Sequence, residues 1–392
     1  MGEKAVVIGA GENSVHAIKV AQKNGMYVIG IDGNPNAEGL SIANESHIVD
    51  IKDYEKVSEL VKKINPQLVI PIPIGRYLTT IGRINSDFLL KGPSAIATER
   101  STDKYEFHRI LAEQGIRNIQ NRLVNRSVSF EELTDVQLPA IYKPRYGSGS
   151  RDVFFVDDRA ALIKYYDYIV TCGEDFILEN LVPGDEYGVD GAVIDGMLYI
   201  TLIRKKVLTP IPARQAISYM AVSNNDSLYK RVRDMLSTAI TALDYVCCLL
   251  HADIIINEDG VFPIEIAPRP SGHNLHDVFV PLATGVDMIQ EYINYCRRDS
   301  YSFTSDSIRN LQIRFFDFEN VVIKRVPTID DIRLLLGEKL IVWNCNISEG
   351  DIMHSVSDGH SIMPRGYFVV EGKDEEALVK ISNSVLNMFE ME

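Results

Sequence analysis

The chain has 392 residues, 46% of them hydrophobic and 24% charged, which is the composition of an ordinary soluble globular protein too long for a single core. Its formal net charge of -14 argues against broad binding to nucleic acid or to an anionic membrane, because either partner requires a basic face. No stretch approaches the roughly 18 apolar residues of a spanning helix, and the first strand starts too early for a signal peptide, so a cytoplasmic protein with no membrane partner is expected.

The five cysteines lack CxxC spacing and read as reduced, mostly buried thiols. The eight histidines show no HExxH or HxxxH pattern, which leaves zinc hydrolase chemistry without support.

Residues Ala5 to Ile8 form an apolar run that ends in Gly9-Ala10-Gly11. A helical pattern at Val15, Ile18, Val20 and Ala21 and a second strand from Tyr27 to Ile31, ending at Asp32, complete a βαβ unit. An oxidoreductase would place a nicotinamide cofactor on these glycines with Asp32 on a ribose, yet the motif is GxGxN rather than GxGxxG. A tight strand-to-helix turn explains it as well. The alternation continues through His47 to Val49, a helix from Tyr54 to Ile64 and a strand from Leu68 to Ile72. Gly92-Pro93-Ser94 then closes an open, parallel, Rossmann-like α/β domain over residues 1–97.

Ser101 or Thr102 is expected to cap a helix that runs to Gly115, which places Lys104 in its first turn. An apolar strand from Leu138 then leads through Lys143 into Gly147-Ser148-Gly149-Ser150 and a further strand from Val153 to Val156. Successive backbone N–H groups in such a loop can cradle phosphates, and Lys143 adds a point charge. A third strand, Phe176 to Leu178, runs into Glu179-Asn180-Leu181-Val182 and then Pro183-Gly184-Asp185-Glu186. Leu181 and Val182 offer an apolar slot with backbone groups suited to an adenine edge. Glu186 is placed to accept hydrogen bonds from ribose hydroxyls.

Arg204, Lys205 and Lys206, followed by a proline-bent segment from Pro210 to Arg214, form a basic stretch whose Arg204 and Arg214 are candidate substrate contacts. The runs Ile254 to Ile256 and Val261 to Ile266 flank the turn formers Asn257-Glu258-Asp259-Gly260, a β-hairpin signal. With Glu258-Asp259-Gly260 as the loop, Asn257 pairs with Val261, so Asp253 lies opposite Glu265 on one face. Two carboxylates that close repel unless a cation sits between them, and a hard ion such as Mg2+ suits carboxylates plus phosphates. Alternation brings Arg269 to the same side, where its fixed fork can grip a carboxylate or phosphoryl group. His273 and Asn274 follow as candidate acceptor-pocket residues.

Taken in order, Asp103-Lys104, Lys143 with GSGS, Glu179 to Glu186 with its PGxE, and Asp253 with EIAPR resemble the ATP-grasp superfamily of ligases. The likeness covers nearly the whole chain. It implies an ATP-grasp domain at 98–300, with a lid subdomain at about 120–180, and a small C-terminal α/β subdomain at 301–392. It also implies that Lys104 and Lys143 hold the ATP phosphates, that Gly147, Ser148, Gly149 and Ser150 form a lid loop, and that Glu179, Asn180, Leu181 and Val182 meet adenine. Glu186 would meet ribose, Asp253 and Glu265 would bind Mg2+ or Mn2+, and Arg269 would act catalytically on an acyl phosphate. The family's usual Glu-x-Asn is Glu265-Ile266-Ala267 here, one metal ligand fewer.

EIAPR followed by Gly272-His273 is similar to the N5-carboxyaminoimidazole ribonucleotide synthetase branch, and Glu-x-Ala also resembles bacterial L-amino acid ligases. The implied activity is ADP-forming carboxylate–amine ligation through an acyl phosphate, on small-molecule substrates such as amino acids. A ribonucleotide synthetase and a non-catalytic ATP-binding module are the alternatives, and a homodimer is compatible with either.

Overall fold

The computed structural model describes residues 2–116, 121–147, 151–211, 213–223 and 226–392. The N-terminal run forms a parallel sheet in the order Glu45–Ile48, Tyr27–Asp32, Lys4–Ile8, Leu68–Val69, as the βαβ pattern predicts. The loop after Lys4–Ile8 is filled from within the chain. Gly39 donates its N–H to the carbonyl of Ala10 at 2.7 Å, and a Cβ on Gly39 would come within 2.4 Å of Ser14 Oγ. The helix Glu38–Ile42 therefore packs directly on the glycine turn where a dinucleotide reading would put a pyrophosphate.

The central element is an antiparallel eight-stranded sheet. Its order is Val261–Ala267, Cys248–Ile256, Asp185–Ile194, Met197–Leu208, Ala216–Ala221, Leu311–Phe315, Gly366–Glu371, Leu340–Cys345. Strands from beyond residue 300 thus extend the same sheet. A separate antiparallel sheet, in the order Asn121–Val124, Phe176–Asn180, Ala140–Pro144, Phe154–Val156, carries Lys143 and the start of the glycine loop.

Strand alternation divides the central sheet into an apolar face and a charged one. On the first, Val189, Val193, Leu250, Ala252, Ile254 and Ile266 pack against Val232, Leu236 and Ala239 of the helix Asp226–Ala242. The other face presents Glu186, Lys206, His251, Asp253 and Glu265 to a cavity.

The hairpin reaches the expected partnership by a different register. Asn257 N–H bonds to Gly260 O at 3.1 Å, so the loop spans four residues and Ile256, not Asn257, pairs with Val261. Ile254 then pairs with Pro263, and a bulge at Ile264 restores Asp253 opposite Glu265. Proline has no N–H to give the ladder, which is why the irregularity falls beside it.

Helix capping also differs from the sequence expectation. Ser101 and Thr102 close the helix Ala95–Thr102, and the Lys104–Glu113 helix is capped by Asp103, whose carboxylate accepts from the N–H groups of Tyr105 and Glu106. Ser101 is used elsewhere, 2.6 Å from the buried hydroxyl of Tyr245, which donates to Ile266 O at 2.8 Å. Those contacts tie the end of the Glu265 strand to the helix before Lys104. Tyr245→Phe is expected to strand a buried carbonyl and destabilise the protein by about 1–3 kcal/mol. A urea titration should show a lower midpoint with an unchanged slope, and an unmoved midpoint would remove the clamp.

Candidate active site

One cavity of about 760 Å³ lies between the parallel sheet, the Lys143 sheet and the charged face of the central sheet. Lys104, Lys143, Gly147, Glu179, Asn180, Leu181, Val182, Glu186, Arg214, Asp253, Glu265, Arg269, His273 and Asn274 all line it. Residues separated by up to 170 positions in the chain are thereby brought together. Ser148, Gly149 and Ser150 lie outside the described residues.

At its floor, Asp253 and Glu265 are directly opposed across the hairpin. Asp253 Oδ2 is 2.7 Å from Lys206 Nζ, and this ammonium holds the Asp253 carboxyl far below the ordinary carboxylate range against the opposing effect of burial. Asp253 Oδ1 is buried with no hydrogen-bond partner. Glu265 Oε1 is 3.5 Å from Arg269 Nη2, whose Nη1 donates to Pro270 O at 2.9 Å.

Lys143 is buried, and its Nζ is 2.6 Å from Glu179 Oε1, while Glu179 Oε2 is 3.2 Å from His108 Nε2. The Glu179 carboxylate is thus committed to a buried cation beside the slot of Asn180 to Val182. Lys104 Nζ donates to Gly147 O at 2.7 Å. Its pKa falls to about 8, chiefly because burial disfavours the cation, with Glu265 opposing and Lys143 adding to the drop.

Glu186 forms a close ion pair with Arg214 and lies 3.9 Å from Lys206 Nζ. Lys206 is the site residue that sequence reasoning named but did not select. Its signal was period-two alternation: Lys205, one residue earlier, turns outward to Glu375 at 2.8 Å, while Lys206 turns in.

Arg204 corrects the sequence expectation. It was expected at the substrate, but it is completely buried, does not line the cavity, and pairs through its Nε with Asp190. It shares the alternation of Lys206 but lies one pleat deeper in the sheet. Glu12, Asn13, Asn344, Asn346, His360 and Tyr367 line the cavity from both ends of the chain; Glu12 and Asn13 end the GxGxN turn, which sequence reasoning weighs only for a dinucleotide, and no sequence motif marks the other four.

Among the described residues no three His, Cys, Asp or Glu side chains converge as a metal cluster. The donor set is two opposed carboxylates that both line the cavity, Asp253 through the Oδ2 that Lys206 meets. That fits a hard cation whose remaining ligands are phosphate oxygens and water, as Mg2+ prefers.

Burial pushes the pKa of both His251 and His273 down to about 4. Above pH 6.5 each is neutral folded and unfolded. Below it the unfolded chain takes up protons that the folded chain refuses until about pH 4, so stability falls with acidification through that window. The expected loss is on the order of 1.4 kcal/mol per pH unit for each histidine. Melting curves between pH 7 and 4.5 should be steeper in pH for the wild type than for His273→Gln, and parallel curves would contradict the burial of His273.

A family model for the ATP-grasp domain matches residues 136–276. The formate-dependent phosphoribosylglycinamide formyltransferase of Thioalkalivibrio sulfidiphilus is 24% identical over 295 residues, covering 72% of each chain. Among solved structures, the L-amino acid ligase of Bacillus licheniformis superposes with a TM-score of 0.81 at 14% identity, covering 100% of this chain and 98% of that one. The N5-carboxyaminoimidazole ribonucleotide synthetase of Thermotoga maritima gives 0.72 at 17% identity, with 99% of both chains covered. The chain thus carries an ATP-grasp domain, and the matched span takes in Lys143, Glu186, Asp253, Glu265 and Arg269, all of which line the cavity.

Proposed function

We propose that the protein is an ADP-forming ligase that joins a carboxylate to an amine through an acyl phosphate, with a small molecule such as an amino acid as substrate. The observation that carries this reading is the opposed pair Asp253 and Glu265 sharing one cavity with Lys104, Lys143 and Arg269. Two carboxylates facing three cations suit a triphosphate chelated by a divalent ion. In this reading residues 1–97, 98–300 and 301–392 act as pre-grasp domain, grasp domain with its lid at about 120–180, and closing subdomain.

ATP enters with adenine along Glu179, Asn180, Leu181 and Val182. Its ribose meets Glu186, and its phosphates lie on Lys104, Lys143 and the loop beginning at Gly147. Asp253 and Glu265 would hold Mg2+, or Mn2+ in its place, which would neutralise phosphate charge. The substrate carboxylate attacks the γ-phosphorus in line, and ADP leaves. Lys104, Lys143 and Arg269 spread the phosphoryl charge and fix the geometry, which is where most of the rate arises in phosphoryl transfer.

The amine then attacks the acyl carbon and phosphate departs. Enclosure of the cavity protects the acyl phosphate from water. His273 and Asn274, in left-handed conformations on the cavity wall, and Arg214 are the proposed substrate contacts.

A second reading is favoured by the curated relatives, whose names specify formate and phosphoribosylglycinamide. It keeps the same chemistry, with formate as the carboxylate and a ribonucleotide as the amine. An ADP-release screen of amino acid pairs, with phosphoribosylglycinamide plus formate and aminoimidazole ribonucleotide plus bicarbonate as further arms, separates the two. ATP binding with no ADP release in any arm would leave a non-catalytic module.

Asp253→Asn is expected to lower ADP release by at least about a thousandfold while the circular dichroism spectrum is unchanged, as for other losses of transition-state electrostatics. Retained turnover would overturn the carboxylate assignment. Because Lys104 in the free protein loses its proton near pH 8, nucleotide binding above that pH must take a proton up. Affinity for ATP is expected to fall by up to about tenfold per pH unit between pH 8 and 10. Lys104→Arg should flatten that dependence in calorimetric titrations, and an equal slope would take Lys104 off the phosphates.

A further inference from the structure

Beneath Asp253 lies a row of buried charged groups with no direct place in the chemistry above. Arg204 and Asp190 are both wholly inaccessible and bind through the guanidinium Nε and Asp190 Oδ2. Arg204 reaches across its neighbour because that neighbour is Gly188. The two residues are register partners, and a Cβ on Gly188 would come within 2.3 Å of the guanidinium. Gly188 is also the register partner of Asp253 on its other side, so the guanidinium lies directly behind the carboxylate strand.

The far side of Arg204 fixes a tautomer. Its Nη2 is 3.3 Å from His251 Nδ1. A guanidinium has only donors and stays protonated, so Nδ1 must accept and the proton of the neutral ring sits on Nε2. That Nε2–H is 3.6 Å from Asp253 Oδ1, the buried oxygen with no hydrogen-bond partner. Oδ2 of the same carboxylate is turned to the cavity, where Lys206 meets it.

Space for the imidazole comes from the other strand of the hairpin. His251 is directly opposite Ala267, whose side chain is a single methyl. Facing residues of a β-pair crowd each other at about 5 Å between Cβ atoms, so a larger side chain at 267 would compete with the ring.

We infer that His251 is a positioning residue: anchored by Arg204 and Asp190, it presents an N–H to Asp253 Oδ1 and so aims Oδ2 at the cation. This rests on the reading that Asp253 holds a divalent ion. A donor of this kind orients a metal-binding carboxylate as other outer-shell partners do, and their loss typically costs about 10–100-fold in metal affinity.

The test measures Mn2+ binding in the presence of ATP by electron paramagnetic resonance, with no turnover required. His251→Leu is expected to weaken Mn2+ binding about 10–100-fold, with metal-free ATP affinity within about twofold of wild type. His251→Gln, which keeps an N–H donor, should recover most of the loss. Gly188→Ala, which displaces the guanidinium, should weaken binding in the same sense and decides the matter if His251→Leu does not fold. Wild-type Mn2+ affinity in His251→Leu or in Gly188→Ala would overturn the relay. If the wild type itself takes up no Mn2+ with ATP, the metal reading of Asp253 fails instead.

Discussion

The structure depends on keeping two carboxylates side by side at the bottom of a cleft. Asp253 and Glu265 are nearest neighbours across a hairpin, an arrangement whose repulsion must be cancelled by something positive. Lys206 and Arg269 supply positive charge, one at each acid. The surrounding sheet serves the same end. It turns its apolar face to a helix and reserves the other face for charges that would be costly anywhere less well paired.

Charge pairing also runs through the second sheet. Lys143 is buried against Glu179, itself against His108, so a cation proposed to serve phosphate is kept desolvated and countered by a carboxylate of its own sheet. A group prepared in this way needs little reorganisation when a polyanion enters, which is the property electrostatic catalysis requires. The same desolvation lowers the pKa of Lys104 and of the histidines at 251 and 273.

Much of this was legible in the residues themselves, because periodicity reports which side of an element a residue occupies. The opposed acids, the parallel N-terminal sheet and the strand-flanked glycine loop follow from alternation and turn formers. The hairpin's partnership was right although its turn was misread, since two one-residue differences cancelled: a longer loop and a bulge beside Pro263. Alternation fails at depth. It places Arg204 and Lys206 on one face but cannot say that the first is sealed within the sheet and the second reaches the cavity. Nor can local pattern reveal that Glu12 and Tyr367, from opposite ends of the chain, line one cavity, because tertiary packing decides that.

Arg145 has a mechanical consequence. Its guanidinium binds Asp103 at 2.7 Å and Asp175 at 3.1 Å, its carbonyl accepts from the Lys104 N–H, and the adjacent Tyr146 hydroxyl donates to Asp103 at 3.0 Å. The first turn of the Lys104 helix is thereby riveted to the sheet that bears Lys143. The same helix buries Phe107, Ile110 and Leu111 in the core of the central sheet, so Arg145 is the joint that sets the spacing between the Lys143 sheet and the hairpin of acids.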